Sequence, residues 1–326
     1  MKKKLTLIPA LILVLLVGGA IFVSYQLRAP NTNKGTQRFI IEKGSSGAAI
    51  ANKLEKQGII RNGLVFRLYT KFTGVATRIQ SGEYELSSNL TVPVLVATLL
   101  KGPTEVWVTV PEGLRREEVV QTLIEDMKLT GTRASTFSSD FLNGTIGKEG
   151  YLFPDTYLIS LDANANSVIK VMESTFEKKY ADASKTQTAS LNREQAVILA
   201  SIIQREAITA EDMKGVASVL ENRLAIGMAL GSDVTVEYGL GYDPVEKTWW
   251  KKDLTADDLA INSPYNTRIN AGLPPTPISN PGLVALEAAL NPPQTNYLYY
   301  LSDSDGKLHF ATTLEEHNAN IQKYLQ

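Results

Sequence analysis

The most apolar part of the chain is an uncharged stretch from Leu5 to Tyr25 that follows lysines at positions 2–4. A helix needs about 20 apolar residues to cross a bilayer, and the flank richer in Lys and Arg stays cytoplasmic. The pattern predicts a cytoplasmic tail at 1–4 and a single-pass transmembrane helix at 5–25. A cleaved signal peptide is the alternative, but no clear small-x-small cleavage site ends the stretch. We therefore expect the N-terminus inside and the rest of the chain on the outer, periplasmic side of the cytoplasmic membrane.

Short strand-like and helix-like patterns follow. Residues 26–37 are polar with Pro and Gly, which is typical of a linker. Phe39 to Gly44 predicts a short strand and a turn, and residues 48–57 carry apolar residues at helical spacing. With further helix-like and strand-like stretches behind them, these segments predict a small α+β module at 38–128.

The same order of patterns recurs 69 positions later, where residues 108–113 align with residues 39–44. This is a weak internal repeat of a strand, a Gly turn and a helix, and chance resemblance between two amphipathic units is the alternative. The aligned helix positions are Ile50, Ala51 and Leu54 in the first copy and Val119, Val120 and Leu123 in the second.

The second half of the chain has a helical pattern. Residues 129–148 are rich in Gly, Ser and Thr and predict a loop-rich joint, and residues 149–326 predict a mainly helical domain with short strands. The fold class is therefore α+β. The predicted elements are helices at 167–179, 193–208, 212–226 and 282–290, strands at 297–301 and 308–311, and a terminal helix from Leu314.

One acidic residue, Glu206, occupies an apolar helical stripe. A carboxyl group there is desolvated as an anion, so its pKa should rise, which suits a general acid that works near neutral pH. The alternative is a structural acid that is paired with an arginine or reaches solvent at the edge of the stripe. The stripe consists of Ala196, Leu199, Ala200, Ile203, Glu206 and Ala207, whereas Gln204 and Arg205 point elsewhere.

Arg223 holds an equivalent position on the next apolar helix, between Leu220 and Leu224. If Arg223 contacts Glu206, the positive charge lowers the carboxyl pKa and favours a structural ion pair. The sequence leaves this contact open. No second acid stands on an apolar stripe near Glu206.

Composition removes several classes of function. The net charge is -1, and no Lys/Arg run lies beyond the first four residues, so nucleic-acid binding has no support. The absence of cysteine excludes thiol catalysis and disulfides. His309 and His317 lack metal-site spacing, so we expect structural roles for them and neither a metal nor a cofactor. No nucleophile-elbow or phosphate-loop motif is present, which leaves acid/base chemistry.

Two segments combine aromatic and proline residues with polar ones. Residues 262–282 place Asn, Tyr and Ser on a proline-stiffened backbone, which suits a hydroxyl-rich ligand such as a sugar. Residues 149–157 place aromatic residues beside Asp and Pro, which suits the lining of a groove. Loops that simply pack against the core are the alternative.

Several motifs together resemble the endolytic murein transglycosylase (YceG-like) family, from about residue 38 to the end. The resemblance implies a membrane anchor, a LysM-like module within 38–128 and a catalytic domain at 149–326 that cuts peptidoglycan strands internally. The motifs are EGYLFPDTY (149–157), ASIIQREA (200–207), ENRL (221–224), IGMALGSDVTVEYG (226–239), SPYNT (263–267), GLPPTPISNPG (272–282) and HFATTLEEHN (309–318).

The family's catalytic glutamate falls on Glu206. Gln204 stands where the family pattern has another acid, so this chain lacks one carboxylate of the motif. The resemblance also implies a set of residues that shape the glycan groove: Asn222, Arg223, Asp233, Tyr238, Ser263, Tyr265 and Asn266.

The resemblance implies one carboxyl that acts first as acid and then as base. It would cleave the bond between N-acetylmuramic acid and N-acetylglucosamine and leave a 1,6-anhydro end, with Asn222 or Asn266 orienting the sugar. Peptidoglycan strands and peptidoglycan synthases are the expected partners. The alternatives are a hydrolytic muramidase, with Asp233 or another acid activating water, and a non-catalytic wall-binding scaffold.

Overall fold

A computed structural model describes residues 7–30 and 35–325. The predicted cytoplasmic tail at 1–4 lies outside the described residues, as does part of the predicted linker at 26–37. The chain divides into two compact units. The first contains Met1–Val108 and Tyr157–Ala163, and the second contains Thr109–Thr156 and Asn164–Gln326.

The first helix, α1 (Leu7–Gln26), lies where the sequence predicts a transmembrane segment. Its side chains from Ala10 to Tyr25 are exposed, and most of them are apolar. Within the described residues, no helix has both the length and the apolar character that a membrane crossing requires.

The first unit is built on a four-stranded sheet with strand order β1-β2-β3-β4. β1 and β2 are antiparallel, and Phe39 lies opposite Tyr84, so both rings pack into the same core. Leu54, Leu95 and Leu99 come from the helices and close that core. The elements are β1 (Thr36–Ile41), α2 (Gly47–Lys56), α3 (Gly63–Phe72), a 3₁₀ turn (Ala76–Arg78), β2 (Gly82–Ser87), α4 (Val92–Lys101), β3 (Glu105–Thr109) and β4 (Thr156–Ser160).

The two segments of the predicted internal repeat have the same order of local structure. In each copy a strand leads through a glycine of positive φ into a helix: Gly44 (φ 82°) precedes α2, and Gly113 (φ 80°) precedes α5 (Arg116–Asp126). The helix N-caps, Ser46 and Arg115, also correspond. The three aligned apolar positions of each helix are buried in both copies.

The second unit is mainly helical, and the predicted helices and strands of its C-terminal part are confirmed with small changes at their ends. Its further elements are α6 (Gly131–Gly144), α7 (Ala165–Ala183), a 3₁₀ turn (Ser184–Thr186), α8 (Arg193–Glu206), α9 (Ala210–Ala225), α10 (Asp233–Leu240), α11 (Ala256–Leu259), α12 (Leu283–Leu290), β5 (Tyr299–Ser302), β6 (Leu308–Ala311) and α13 (Leu314–Tyr324).

The prediction of a loop-rich joint at 129–148 is wrong, because most of this segment is the helix α6. Its Gly, Ser and Thr residues have low helix propensity. Phe137 and Phe141 are one turn apart, both are buried, and their rings stack at 6.4 Å. Packing of this apolar face against α5 and α7 therefore outweighs the local propensity.

Helix α8 forms the centre of the second unit. It begins with a capping box in which Asn192 and Gln195 exchange side-chain and backbone hydrogen bonds. All residues from Ala196 to Ile203 are buried, so the helix is covered on every side and has no single apolar stripe. Helices α9, α10 and α12 pack around it.

A buried carboxyl joins two of the sequence motifs. Glu149 Oε1 accepts hydrogen bonds from the backbone N–H of Arg116 (3.1 Å) and from the amide of Asn280 (2.8 Å). Asn280 Oδ1 in turn accepts from the N–H groups of Gly150 and Leu152, both at 3.0 Å. The proline-rich segment 272–282 is thus fixed to the start of the EGYLFPDTY motif through side-chain contacts.

Glu149 gives a pH-dependent stability. Burial, followed by the negative charge of Glu117, raises the pKa of Glu149 from 4.5 to about 8. The folded state therefore holds the proton more tightly than the unfolded chain, and this stabilisation is lost as the pH rises from about 4.5 to about 8. Glu149→Gln removes the ionisation and keeps an acceptor oxygen.

We predict that the melting temperature of Glu149→Gln rises relative to that of the wild type as the pH increases from 5 to 8. Thermal unfolding followed by circular dichroism across this range measures the difference. A difference that stays constant with pH would contradict the assignment.

Candidate active site

Glu206 is the last residue of α8. The chain becomes extended at Ala207 (φ -140°, ψ 152°), so the helix ends with the carboxyl at its C-terminus. The residue is half-buried. Desolvation by the surrounding protein is the largest influence on the carboxyl and raises its pKa. The position therefore gives Glu206 a raised proton affinity, and a helix that is buried on every side, not a single apolar stripe, produces it.

Two hydroxyl groups act on the Glu206 carboxyl. Ser232 Oγ donates a hydrogen bond to Glu206 Oε1, and the Tyr300 hydroxyl lies near enough to act as a second donor that lowers the carboxyl pKa. Both contacts lower the pKa of Glu206 and oppose the desolvation. Burial and the neighbouring carboxylate raise the pKa of Tyr300 well above its usual value, so Tyr300 remains a donor. Sequence reasoning missed both residues, because they lie in segments distant from Glu206 in the chain.

Ser232 occupies the N-cap position of α10, where a serine hydroxyl usually accepts a hydrogen bond from the first turn. Here the hydroxyl makes no capping bond and donates a hydrogen bond to Glu206 instead. The residue is 2% exposed and is fixed through its backbone: its N–H donates to Thr267 Oγ1 (3.1 Å), and its carbonyl accepts from Thr235 Oγ1 (2.6 Å). The SPYNT motif thus holds Ser232 through Thr267.

Arg223 does not form the ion pair with Glu206 that the sequence left open. Its guanidinium donates to the carbonyl oxygens of Leu298 (2.7 Å) and Leu230, and no salt bridge to Glu206 occurs in the described part of the chain. Its charge lowers the pKa of Glu206, but by less than the desolvation or either hydroxyl group changes it. Leu230 and Leu298 each lie two residues before a hydroxyl donor to Glu206. Arg223 therefore fixes the segments that carry Ser232 and Tyr300.

A second acid lies near Glu206, contrary to the expectation from sequence. Glu237, in the last turns of α10, is partly buried, and desolvation raises its pKa from 4.5 to about 7. The charge of Arg205 opposes this change, whereas that of Glu206 reinforces it. The prediction failed because α10 is short and its apolar pattern is weak, so no helical stripe marked Glu237.

Most of the implied groove residues hold the protein's own backbone. The Asn222 amide donates to the carbonyls of Thr295 (3.0 Å) and Tyr297 (2.9 Å). The buried Asn266 amide donates to the carbonyls of Leu259 (3.0 Å) and Ile261 (2.9 Å). In this structure neither amide has a free N–H to orient a sugar, and a direct role in substrate binding stays a prediction for both.

Ser263 and Asp233 also have partners within the protein. Ser263 is 9% exposed, and its Oγ accepts from the Tyr265 N–H (3.3 Å). Exposed Asp233 forms an ion pair with Arg268 and raises the pKa of Glu206 through its charge. Asp233 therefore lies close enough to influence Glu206, while Ser263 is structural.

Tyr238 and Tyr265 lie together with an arginine. Their ring centroids are 4.7 Å apart, and the Arg115 guanidinium stacks 4.0 Å from the Tyr238 ring. Arg115 also lies 4.5 Å from the ring of Trp249, which in turn meets Tyr242 edge-on at 5.2 Å. Tyr242 is 47% exposed. Of these rings Tyr242, two residues beyond the end of α10, is exposed and provides a surface on which a sugar ring can stack.

Gln204 and the two histidines are not part of the aromatic group around Arg115. Gln204 Oε1 accepts from the Gly282 N–H (2.9 Å) beside a cavity of about 480 Å³, and Glu206 does not line that cavity. His309 bonds to Asp303 (2.7 Å) within the β5–β6 hairpin, and His317 stacks on Tyr299. Structural roles fit both histidines.

Comparisons with known proteins assign the family. A sequence profile of the YceG-like family matches residues 39–323. An endolytic murein transglycosylase of Bacillus subtilis is 32% identical over 95% of this chain and 91% of its own length. A Streptococcus pneumoniae protein of the same name is 28% identical, and the match covers 87% of this chain and 58% of that relative.

A crystal structure agrees with the profile. The YceG-like protein of Listeria monocytogenes superposes with a TM-score of 0.58 at 31% identity, over 88% of this chain and 99% of that one. The chain described here belongs to the YceG-like family.

We predict a ranked response of Glu206 to the loss of its neighbours. Ser232→Ala should raise the Glu206 pKa most, Tyr300→Phe should raise it less and Arg223→Met least, because each change removes an interaction that favours the carboxylate. NMR titration of the Glu206 carboxyl carbon, assigned with Glu206→Gln, measures these values.

Ser218→Ala is the matched control, since Ser218 is a buried serine in the same unit whose hydroxyl bonds to Thr295 (2.7 Å). It should leave the titration unchanged. A Ser232→Ala protein with an unchanged or lowered Glu206 pKa would refute the assigned hydrogen bond.

Proposed function

We propose that this protein is a lytic transglycosylase that cleaves peptidoglycan strands internally, between N-acetylmuramic acid and N-acetylglucosamine. The observation that supports this most is Glu206: a carboxyl with a raised pKa that two hydroxyl groups stabilise as an anion. Membership of the YceG-like family and the names of the curated relatives support the substrate.

The first step uses Glu206 as an acid. Desolvation keeps the carboxyl protonated at higher pH than usual. Its proton passes to the glycosidic oxygen, the bond from that oxygen to C1 of the muramic residue breaks, and the electron pair leaves with the departing sugar as a hydroxyl. An oxocarbenium-like centre remains at C1. Ser232 and Tyr300 stabilise the carboxylate that this step creates.

The second step uses the same group as a base. The Glu206 carboxylate accepts the proton of the muramic C6 hydroxyl while O6 bonds to C1, which gives the 1,6-anhydro end and restores the acid. No water is consumed. One group serves both steps, since desolvation favours its protonated form and the two hydroxyl donors favour its anion. The aromatic side chains of Tyr238, Tyr242 and Trp249 would bind neighbouring sugars.

Glu206→Gln should reduce the release of anhydro-muropeptides by about 10²–10⁴-fold, because the amide can neither donate nor accept the catalytic proton. Liquid chromatography and mass spectrometry of digested glycan strands measure the products. Glu194→Gln, in the exposed first turn of the same helix, is the control and should retain wild-type rates. A Glu206→Gln protein with the wild-type rate would exclude Glu206 from catalysis.

A hydrolytic muramidase is the second candidate, and Glu237 is the observation that favours it. A second carboxyl with a pKa of about 7 near Glu206 is the group that would activate water. The product ends separate the two reactions. Reducing ends that disappear in Glu237→Gln would establish hydrolysis, whereas anhydro ends made by both proteins support the transglycosylase.

We further propose that residues 5–25 anchor the protein in the cytoplasmic membrane with the catalytic unit outside, where peptidoglycan synthases would be its partners. The uncharged sequence of 5–25 behind Lys2 to Lys4 supports the anchor. The order strand, helix, helix, strand from β1 to β2, with the two strands antiparallel, supports a LysM-like module that binds glycan.

Removal of residues 1–25 should move the protein from the membrane pellet to the soluble fraction of the expressing bacterium. The full chain should resist extraction by high salt and dissolve in detergent, because apolar burial and not charge would hold it. Full chain that high salt releases, or truncated chain that still sediments with membranes, would contradict the anchor.

A further inference from the structure

Arg205, next to Glu206 in α8, lies flat on an aromatic ring. Its guanidinium carbon is 3.8 Å from the centroid of the Trp250 ring. Trp250 is 8% exposed, and its indole N–H donates to Glu118 (2.9 Å). The Trp250 ring is therefore held in place, and its contact with the guanidinium restricts the orientation of the Arg205 donors.

The donors of this guanidinium have no acceptor among the residues that the structure describes: Arg205 forms no side-chain hydrogen bond or ion pair with any of them. Its Nε is buried without a partner, which is costly in a native protein. The terminal nitrogens keep accessible surface, so a ligand that supplies an acceptor oxygen can reach them.

The charges around Arg205 define the ligand. The carboxyl groups of Glu118, Glu237 and Glu206 all stabilise the positive charge of Arg205 electrostatically. Whichever of these groups are ionised already balance the charge of Arg205, so a neutral acceptor oxygen suits the place better than a further anion. In an N-acetylated glycan, the amide carbonyl of the acetamido group is a stronger neutral acceptor than a hydroxyl.

We propose that Arg205 is a substrate-binding residue that donates hydrogen bonds to the acetamido carbonyl of a sugar at the cleavage site. The proposal rests on the proposed function, and it adds a basis for selecting N-acetylated strands. The charge of Glu206 acts on Arg205 although the two side chains leave α8 in different directions, so the Arg205 guanidinium lies within electrostatic range of the proposed cleavage site.

Binding of two matched, uncharged pentasaccharides tests the proposal. Chitopentaose carries an acetamido group at every C2, and cellopentaose carries a hydroxyl there. Isothermal titration calorimetry with the full chain in detergent, carrying Glu206→Gln to prevent turnover, gives both affinities. We expect about tenfold tighter binding of chitopentaose, since a charged donor bonds its carbonyl.

Adding Arg205→Met should reduce this preference to about twofold or less and leave the cellopentaose affinity within about twofold, which shows that the groove is intact. Arg205→Lys keeps the charge but loses the planar donor group, and it should restore only part of the preference. Arg193→Met is the matched control, because Arg193 lies about 18 Å away at the other end of α8.

A tenfold preference that survives Arg205→Met would overturn the role of Arg205 and leave the proposed function standing. Failure of the Arg205-containing protein to bind either sugar would instead count against the glycan-cleaving function itself.

Discussion

The hydrogen bond from Ser232 to Glu206 is the interaction on which the site depends. It joins the end of the central helix α8 to the start of α10. Several residues of the sequence motifs hold these two helix ends in place. Thr235 and Thr267 fix the Ser232 backbone, and Arg223 fixes the neighbouring segments through Leu230 and Leu298. Residues of the ENRL, IGMALGSDVTVEYG and SPYNT motifs thus support one carboxyl.

This arrangement balances two opposing influences on the same proton. Desolvation raises the pKa of Glu206, while the two hydroxyl donors lower it. A group that only gave its proton away would need the first influence alone. The presence of both fits a carboxyl that must donate a proton and then recover one. Arg223 leaves that balance intact because its guanidinium donates to backbone carbonyls and not to Glu206.

Local patterns in the sequence predict most of the long helices and the raised pKa of Glu206, since apolar spacing and turn residues are properties of short segments. They could not predict Ser232 or Tyr300, whose contacts join segments far apart in the chain. Asn222 and Asn266 show the reverse problem: an amide in a motif looks available for a ligand until its backbone partners are known. In α6, burial of Phe137 and Phe141 outweighed a loop-like composition.

Digestion of glycan strands by the wild-type protein in water labelled with heavy oxygen tests the central claim most directly. If Glu206 takes the proton of the C6 hydroxyl while O6 bonds to C1, the new ends are 1,6-anhydro sugars without label. New reducing ends that carry one heavy oxygen would show that water attacks C1, and would contradict the account.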